Sequence, residues 1–149
     1  VVAGINKVGG GNSPTQNMKL TKFTKKDLPL IKQWFRSKKN RQFMNDIKVL
    51  DTFIEDTASR KIFCIYKRKP IGYCALKNIK FCPELIIMID SKYWGKGYGA
   101  KAMKLLEKEA KRLKIKKLIL RVLINNGRAI KLYYRSGYAI TQYVMEKNI

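Results

Sequence analysis

Histidine is absent from the 149 residues of this chain. Without imidazole there is no Ser-His or Cys-His nucleophile, so proton transfer falls to carboxylates, tyrosine, cysteine, lysine or water. Cysteine is scarce: Cys64, Cys74 and Cys82 are odd in number and show no C-x-x-C spacing. That argues against a disulfide scaffold or a metal site and predicts a reducing compartment, the cytoplasm. No apolar run approaches the ~20 residues that cross a bilayer, so no membrane association is expected. The first residues lack the basic start and apolar block of a secretory signal. Acidic side chains are few, 10 against 33 lysines and arginines, which leaves a net charge of +23.

What is present suits one soluble domain with a single core, with 46% hydrophobic and 29% charged residues. Surplus positive charge draws a protein towards RNA, ribosomes or an acidic partner through counterion release. Here, however, basic residues sit on every segment rather than in one stripe, and Lys, Ile and Asn dominate over Arg and Ala. Compositional bias therefore explains the charge as well, and nucleic-acid binding is not favoured.

The chain is organised around Leu85–Leu106, LIIMIDSKYWGKGYGAKAMKLL. The run Leu85–Ile89 reads as a buried strand. Asp90–Tyr93 is polar loop, and Gly95, Gly97 and Gly99 follow at alternate positions. From Ala100 the spacing turns helical, with Ala102, Met103, Leu105, Leu106, Ala110 and Leu113 on one stripe. Strand, glycine loop and helix start together build an anion site: glycine permits close approach, and free N–H groups at the positive helix end face the ligand. Lys96 adds a mobile charge. The alternative is a tight turn that needs glycine for conformation alone. A mononucleotide P-loop would require Lys-Ser or Lys-Thr after the glycines, where this chain has Ala100-Lys101. A dinucleotide fingerprint would require G-x-G-x-x-G and an acidic residue closing the next strand, where this chain has G-x-G-x-G and Ile124-Asn125-Asn126.

Residues 1–17 have no period and read as a flexible tail or cloning remnant, with one domain over 18–149. Lys19–Phe23 alternates as an edge strand. Thr24 and Asp27 form a capping box ahead of a helix that buries Leu28, Ile31, Trp34 and Phe35, with Pro29 in its first turn. Lys38–Arg41 is a solvated turn, and the apolar spacing from Phe43 to Ile54 predicts a second, broken helix. That stretch is locally acidic, with Asp46, Asp51, Glu55 and Asp56 opposed by Lys48 alone. Ile62–Tyr66 and Ile71–Leu76 are strands of a hairpin joined by Lys67–Pro70. Lys117–Leu123, returning after the helix, should pair in parallel with Glu84–Ile89. Ala129–Ser136 is a short helix broken by Gly137, and Tyr138–Thr141 with Tyr143–Lys147 form the last strand or strands. The total is a mixed α/β domain.

Two motifs carry a resemblance. Trp94-Gly95-Lys96-Gly97-Tyr98-Gly99 resembles the [Q/R]-x-x-G-x-[G/A] signature of the GCN5-related N-acetyltransferases (GNAT family), with Trp94 in the Gln/Arg slot. This W-G-K-G-Y form is similar to that of the branch containing ribosomal-protein acetyltransferases. Asn126-Gly127-Arg128-Ala129-Ile130-Lys131-Leu132-Tyr133, then Gly137-Tyr138, resembles the family's N-x-x-A-x-x-L-Y-x-x-x-G-[F/Y]. The resemblance runs from about Lys61 to the end.

It implies a mostly antiparallel sheet with one splayed parallel strand pair, flanked by helices, and acetyl-CoA as cofactor. The backbone of Ile87, Met88 and Ile89 would meet the pantetheine arm. The stretch from Trp94 and Gly95 through Lys96, Gly97, Tyr98 and Gly99 to Ala100 would hold the pyrophosphate, and Asn126 would also contact the cofactor. Tyr133 matches the family tyrosine that protonates the departing thiolate. Arg121 stands where some members carry a glutamate base, so Glu84 is the alternative carboxylate, with Asp90 a distant third. The acidic residues Asp46, Asp51 and Glu55 would flank the entrance of an amine acceptor, either a protein N-terminus or lysine, or a small amine. No cysteine matches a family nucleophile, which implies direct transfer. The family includes monomers and homodimers. The rival reading is a non-catalytic basic module, on the same fold, that binds RNA or the ribosome.

Overall fold

The computed structural model describes residues 17–43 and 57–149. The expected tail lies outside them apart from Asn17. So do Asp46, Asp51 and Glu55, and the second helical stretch apart from Phe43. Four strands, β1 (Lys19–Lys22), β2 (Lys61–Lys67), β3 (Lys69–Lys77) and β4 (Glu84–Ile89), form one sheet in the order β1-β2-β3-β4. Each neighbouring pair is antiparallel. The hairpin between β2 and β3 is tighter than its composition suggests. Lys67 pairs with Lys69, and Arg68 alone turns the chain at φ 53°.

Helices cover both faces. α1 (Leu28–Arg36) buries Ile31, Trp34 and Phe35 against Phe23, Ile62, Tyr73, Ala75 and Met88. α3 (Tyr98–Arg112) buries Tyr98, Ala102, Leu106 and Ala110 against Ile65, Ile71, Cys74, Leu76 and Leu85. β4 therefore feeds Met88 to one layer and Leu85 to the other, which is why it reads as a continuous apolar run. Ile71 shares a face with Cys74, against strict alternation, because Ile65 pairs with Gly72 and Tyr66 with Pro70. Ile71 is thus the extra residue of a bulge. The α1 entrance follows its sequence signal: the Thr24 N–H and Oγ1 donate to Asp27 Oδ2 at 2.7 and 2.9 Å.

Five expectations need correction. Lys38–Arg41 is not a solvated turn but a single-turn helix, α2, whose Asn40 is buried. The glycine-loop helix starts at Tyr98 rather than Ala100, since Gly97 already occupies the cap position, and α4 runs over Gly127–Arg135. Lys117–Leu123 touches β4 in the expected parallel sense, but only at Glu84 and Ile119. Beyond that bridge Arg121–Asn125 are exposed, and a turn from Asn126 N to Leu123 O (2.9 Å) sends the chain into α4. Tyr138–Thr141 and Tyr143–Lys147 form no strand. Their backbone pairs with no described strand, and Ile140, Tyr143 and Val144 are exposed. No described helix is long and apolar enough to cross a membrane.

Candidate active site

β4 leads into the glycine loop through one 3-10 turn, Ser91–Tyr93. Asp90 anchors that turn, since its N–H donates to Ile71 O at 2.9 Å and its carbonyl accepts from Tyr93 N at 2.8 Å. Gly95 and Gly97 have φ of 74° and 79°, a left-handed backbone that side chains disfavour. A Cβ on Gly99 would stand 3.0 Å from Leu132 Cδ2, so glycine there lets α4 approach the start of α3. The first bond of α3 runs from Lys101 N to Gly97 O at 3.2 Å. The N–H groups of Tyr98, Gly99 and Ala100 precede it and carry the positive end of the helix dipole. Lys96 is exposed beside them. This donor set fits a phosphate-bearing cofactor. The Tyr98 side chain points elsewhere: it is buried, and its hydroxyl accepts from Lys67 Nζ at 2.8 Å.

Trp94 binds inward. Its indole N–H donates to Ile89 O at 2.7 Å. The guanidinium carbon of Arg128 lies 3.5 Å from the centre of the indole ring, with Lys39 Nζ at 5.6 Å and the Phe43 ring at 6.4 Å. Burial lowers the pKa of Arg128. The contacts of α3 and α4 advance in step: Trp94 with Arg128, Gly99 with Leu132, and Met103 with Ser136, whose Oγ lies 3.9 Å from Sδ. The two helices therefore run parallel, with both N-termini on the side of the glycine loop.

The open edge of β4 lies on the same route. Leu85 N donates to Ile119 O at 2.8 Å, away from β3. Backbone groups alternate along a strand, so those of Ile87 and Ile89 face the same side. Among the described residues no strand pairs with that side beyond Leu85. Met88 does not join them. Its carbonyl turns to β3, where a Cβ on Gly72 would collide with it.

Tyr133 is half-buried on α4, whereas Tyr134, one residue on, is exposed. Gly137, at φ 88°, closes the helix with bonds from Gly137 N to Tyr134 O and from Tyr138 N to Tyr133 O, each 3.0 Å. This cap brings the Tyr138 ring to 6.2 Å from that of Tyr133. Burial raises the pKa of the Tyr133 phenol. That of Tyr138 is raised by burial first and by Glu107 next. At the other end of α4, Asn126 Oδ1 caps the helix by accepting from Ala129 N at 3.2 Å, which leaves its amide hydrogens for a ligand.

Glu84 is buried at the start of β4, and its Oε2 takes both Lys77 Nζ, at 3.3 Å, and Arg121 Nη1. The hydrogen bond to Glu84 raises the pKa of Arg121. Glu84 Oε1 has no partner among the described residues. The buried thiols of Cys64 and Cys74 are poor nucleophiles. Burial pushes Cys64 up to about 12 and raises Cys74 as well.

Two functional features escaped the sequence. Asn40 Nδ2 donates to Trp34 O at 2.9 Å and to Asp90 Oδ1 at 3.0 Å, and its Oδ1 accepts from Ser91 N at 2.8 Å. It thereby fastens α1 and α2 to the entrance of the glycine loop. The only signal was an uncharged amide within Lys38-Lys39-Asn40-Arg41. Arg128 sits inside a recognised motif, but nothing in the motif points it at Trp94.

The sequence pattern of the acetyltransferase (GNAT) family matches residues 27–138, which include both motifs. An N-acetyltransferase of Bacillus subtilis, YycN, is 40% identical over 57 residues, 38% of this chain and 36% of its own length. The match thus spans about a third of that relative. A domain from Methanocaldococcus jannaschii superimposes with a TM-score of 0.77 at 22% identity, over 87% of this chain and 93% of that one. Spermidine N-acetyltransferase from Vibrio cholerae, solved with CoA and spermine, gives 0.73 at 20% identity, over 89% and 86%. These two likenesses establish the fold, and the match over residues 27–138 establishes the lineage: the chain belongs to the acetyltransferase (GNAT) family of acyltransferases.

Proposed function

We propose that this protein transfers the acetyl group of acetyl-CoA directly to a primary amine. The observation that carries the reading is the continuity of one surface, from the open edge of β4 through the glycine loop to the parallel helix bearing Tyr133. Acetyl-CoA supplies an activated thioester. The N–H groups of Tyr98, Gly99 and Ala100, with Lys96, hold its pyrophosphate, and the amide of Asn126 donates nearby. On the β4 edge, the N–H groups of Ile87 and Ile89 align the pantetheine arm and polarise the carbonyl, an arrangement that lowers the barrier by orientation and fixed dipoles. Tyr133 keeps its phenolic proton, because burial disfavours the phenolate, and gives it to the departing sulfur. Glu84 Oε1 takes the proton of the ammonium, directly or through water. The raised thiol pKa values of Cys64 and Cys74 argue against an acetyl-cysteine intermediate.

The acceptor is an amine of one of two classes. The Trp-Gly-Lys-Gly-Tyr resemblance favours a protein N-terminus or lysine. The acidic residues Asp46, Asp51 and Glu55 favour a small polycation, and a structural neighbour is a spermidine N-acetyltransferase. Unpaired cysteines suit a cytoplasmic enzyme. The net charge of +23 keeps one alternative in view, a non-catalytic module that binds RNA or ribosomes.

Calorimetric titration with acetyl-CoA at moderate salt, with CoA and tRNA as comparators, separates the two. Saturable acetyl-CoA binding with little salt dependence is expected. No such binding, together with tRNA binding that weakens steeply with salt, would replace the enzyme reading by the nucleic-acid one.

A further inference from the structure

The family signature places Gln or Arg where this chain has Trp94, and the indole cannot replace either one. Its only N–H is spent on Ile89 O at 2.7 Å. The loop therefore lacks the free side-chain N–H donors that either residue would bring, Lys96 being exposed on a flexible stem. Arg128 brings such donors to Trp94. Its guanidinium lies face-on against the indole at 3.5 Å, so the ring fixes the plane of the fork. Among the described residues no carboxylate or carbonyl accepts from it. A stacked guanidinium keeps its in-plane N–H donors, the geometry that suits bidentate contact with phosphate oxygens. Arg128 also occupies the first turn of α4, parallel to α3, so two positive helix ends and one oriented cation converge on the same side.

We propose that Arg128, oriented by Trp94, is a ligand of the pyrophosphate of acetyl-CoA and supplies the side-chain donors that position 94 does not. Trp94 is then a positioning residue, acting through Arg128 rather than on the phosphate. The inference rests on the acetyl-CoA reading above.

The test is calorimetric binding of CoA and of 3′-dephospho-CoA to the full chain and to Arg128→Gln, Arg128→Ala, Arg128→Lys and Trp94→Ala. Arg128→Gln keeps a planar group on the ring and removes the charge. It should raise Kd about 10- to 100-fold for both ligands, the range for a charge-assisted hydrogen bond. Arg128→Lys should recover only part, since a point charge lacks the fork. Trp94→Ala should weaken binding in the parent but add little to Arg128→Gln, because its effect passes through the arginine. Thermal melts identify any variant that has lost its fold, and the exposed Arg128→Gln is the substitution that spares packing. Unchanged Kd in Arg128→Gln overturns the proposal. So does a loss seen with CoA and absent with 3′-dephospho-CoA, which would assign Arg128 to the 3′-phosphate. Failure of the parent protein to bind either ligand overturns the acetyl-CoA reading itself, a result distinct from both.

Discussion

Asn40 and Asp90 meet through a buried hydrogen bond of 3.0 Å, although 50 residues separate them in the chain. The contact joins the helical layer under one face of the sheet to the strand exit that aims the glycine loop. Replacing Asn40 by alanine removes the donors to Trp34 O and Asp90 Oδ1 and the acceptor for Ser91 N–H. A buried carboxylate left without that donor costs about 1–3 kcal/mol. Urea unfolding of Asn40→Ala should show a lower midpoint with an unchanged slope. An unchanged midpoint would mean that solvent replaces the amide and that the link is dispensable.

Tyr133→Phe removes one hydroxyl from a half-buried ring. As the proton donor to sulfur, Tyr133 should contribute at the general-acid level, so kcat should fall about 100-fold while the Kd for acetyl-CoA stays near that of the parent. The sign of the pH effect follows from burial. It raises the phenol above its ordinary 10.0, and the protonated acid is the form present below the pKa. Loss of activity through this group should therefore set in at higher pH than for a free phenol, and none is expected near neutral pH. Turnover by Tyr133→Phe equal to the parent's would remove the residue from the mechanism.

Glu84→Gln separates a base from a structural anchor. Arg121 is largely exposed and can be resolvated, so the lost pair costs only about 1 kcal/mol of stability. If Oε1 accepts the ammonium proton, the rate at pH 7 should drop about 100-fold, and the deficit should shrink as rising pH deprotonates the amine without help. A deficit constant across pH would assign Glu84 to architecture alone.

Gly97 combines a backbone requirement with an electrostatic one. Gly97→Asn tolerates a φ of 79° and adds no charge, whereas Gly97→Asp places an anion among the N–H donors at the start of α3. Asparagine should leave the melting temperature almost unchanged and weaken CoA binding modestly. Aspartate should abolish binding in a folded protein. Equal CoA affinity in the two variants would reduce the glycine loop to a turn.

How far the sequence could be read depended on whether the signal was local. Leu85–Ile89 is apolar at every position because helices cover both faces of β4, and the strand that contains it, Glu84–Ile89, was legible to the residue. Thr24 with Asp27, and Gly137, each fix their surroundings within a few residues, so the entrance of α1 and the end of α4 could be located, whereas the start of α3 lies two residues ahead of the expected Ala100, because Gly97 is its cap rather than loop. Asn40 could not be understood from its neighbours, because its burial is set by Asp90 and Ser91. Arg128 reads as one more cation in a basic chain until Trp94 is found beneath it. Tyr143 and Val144 carry strand propensity, yet propensity alone pairs no strand, and both remain exposed.

The side of β4 that no described strand pairs with beyond Leu85 has a consequence for the protein as a population of molecules. A sheet edge open to a ligand presents its free N–H groups to any other strand as well, including that of a neighbouring copy. Self-association should thus compete with ligand binding for Ile87 and Ile89, and a supply of ligand would act as a solubiliser. The surplus of cations bears on the same contest, since copies that each carry +23 repel one another before their edges can meet. On the proposed reading the extreme basicity needs no nucleic acid to explain it: it would protect the edge that the pantetheine arm is proposed to use.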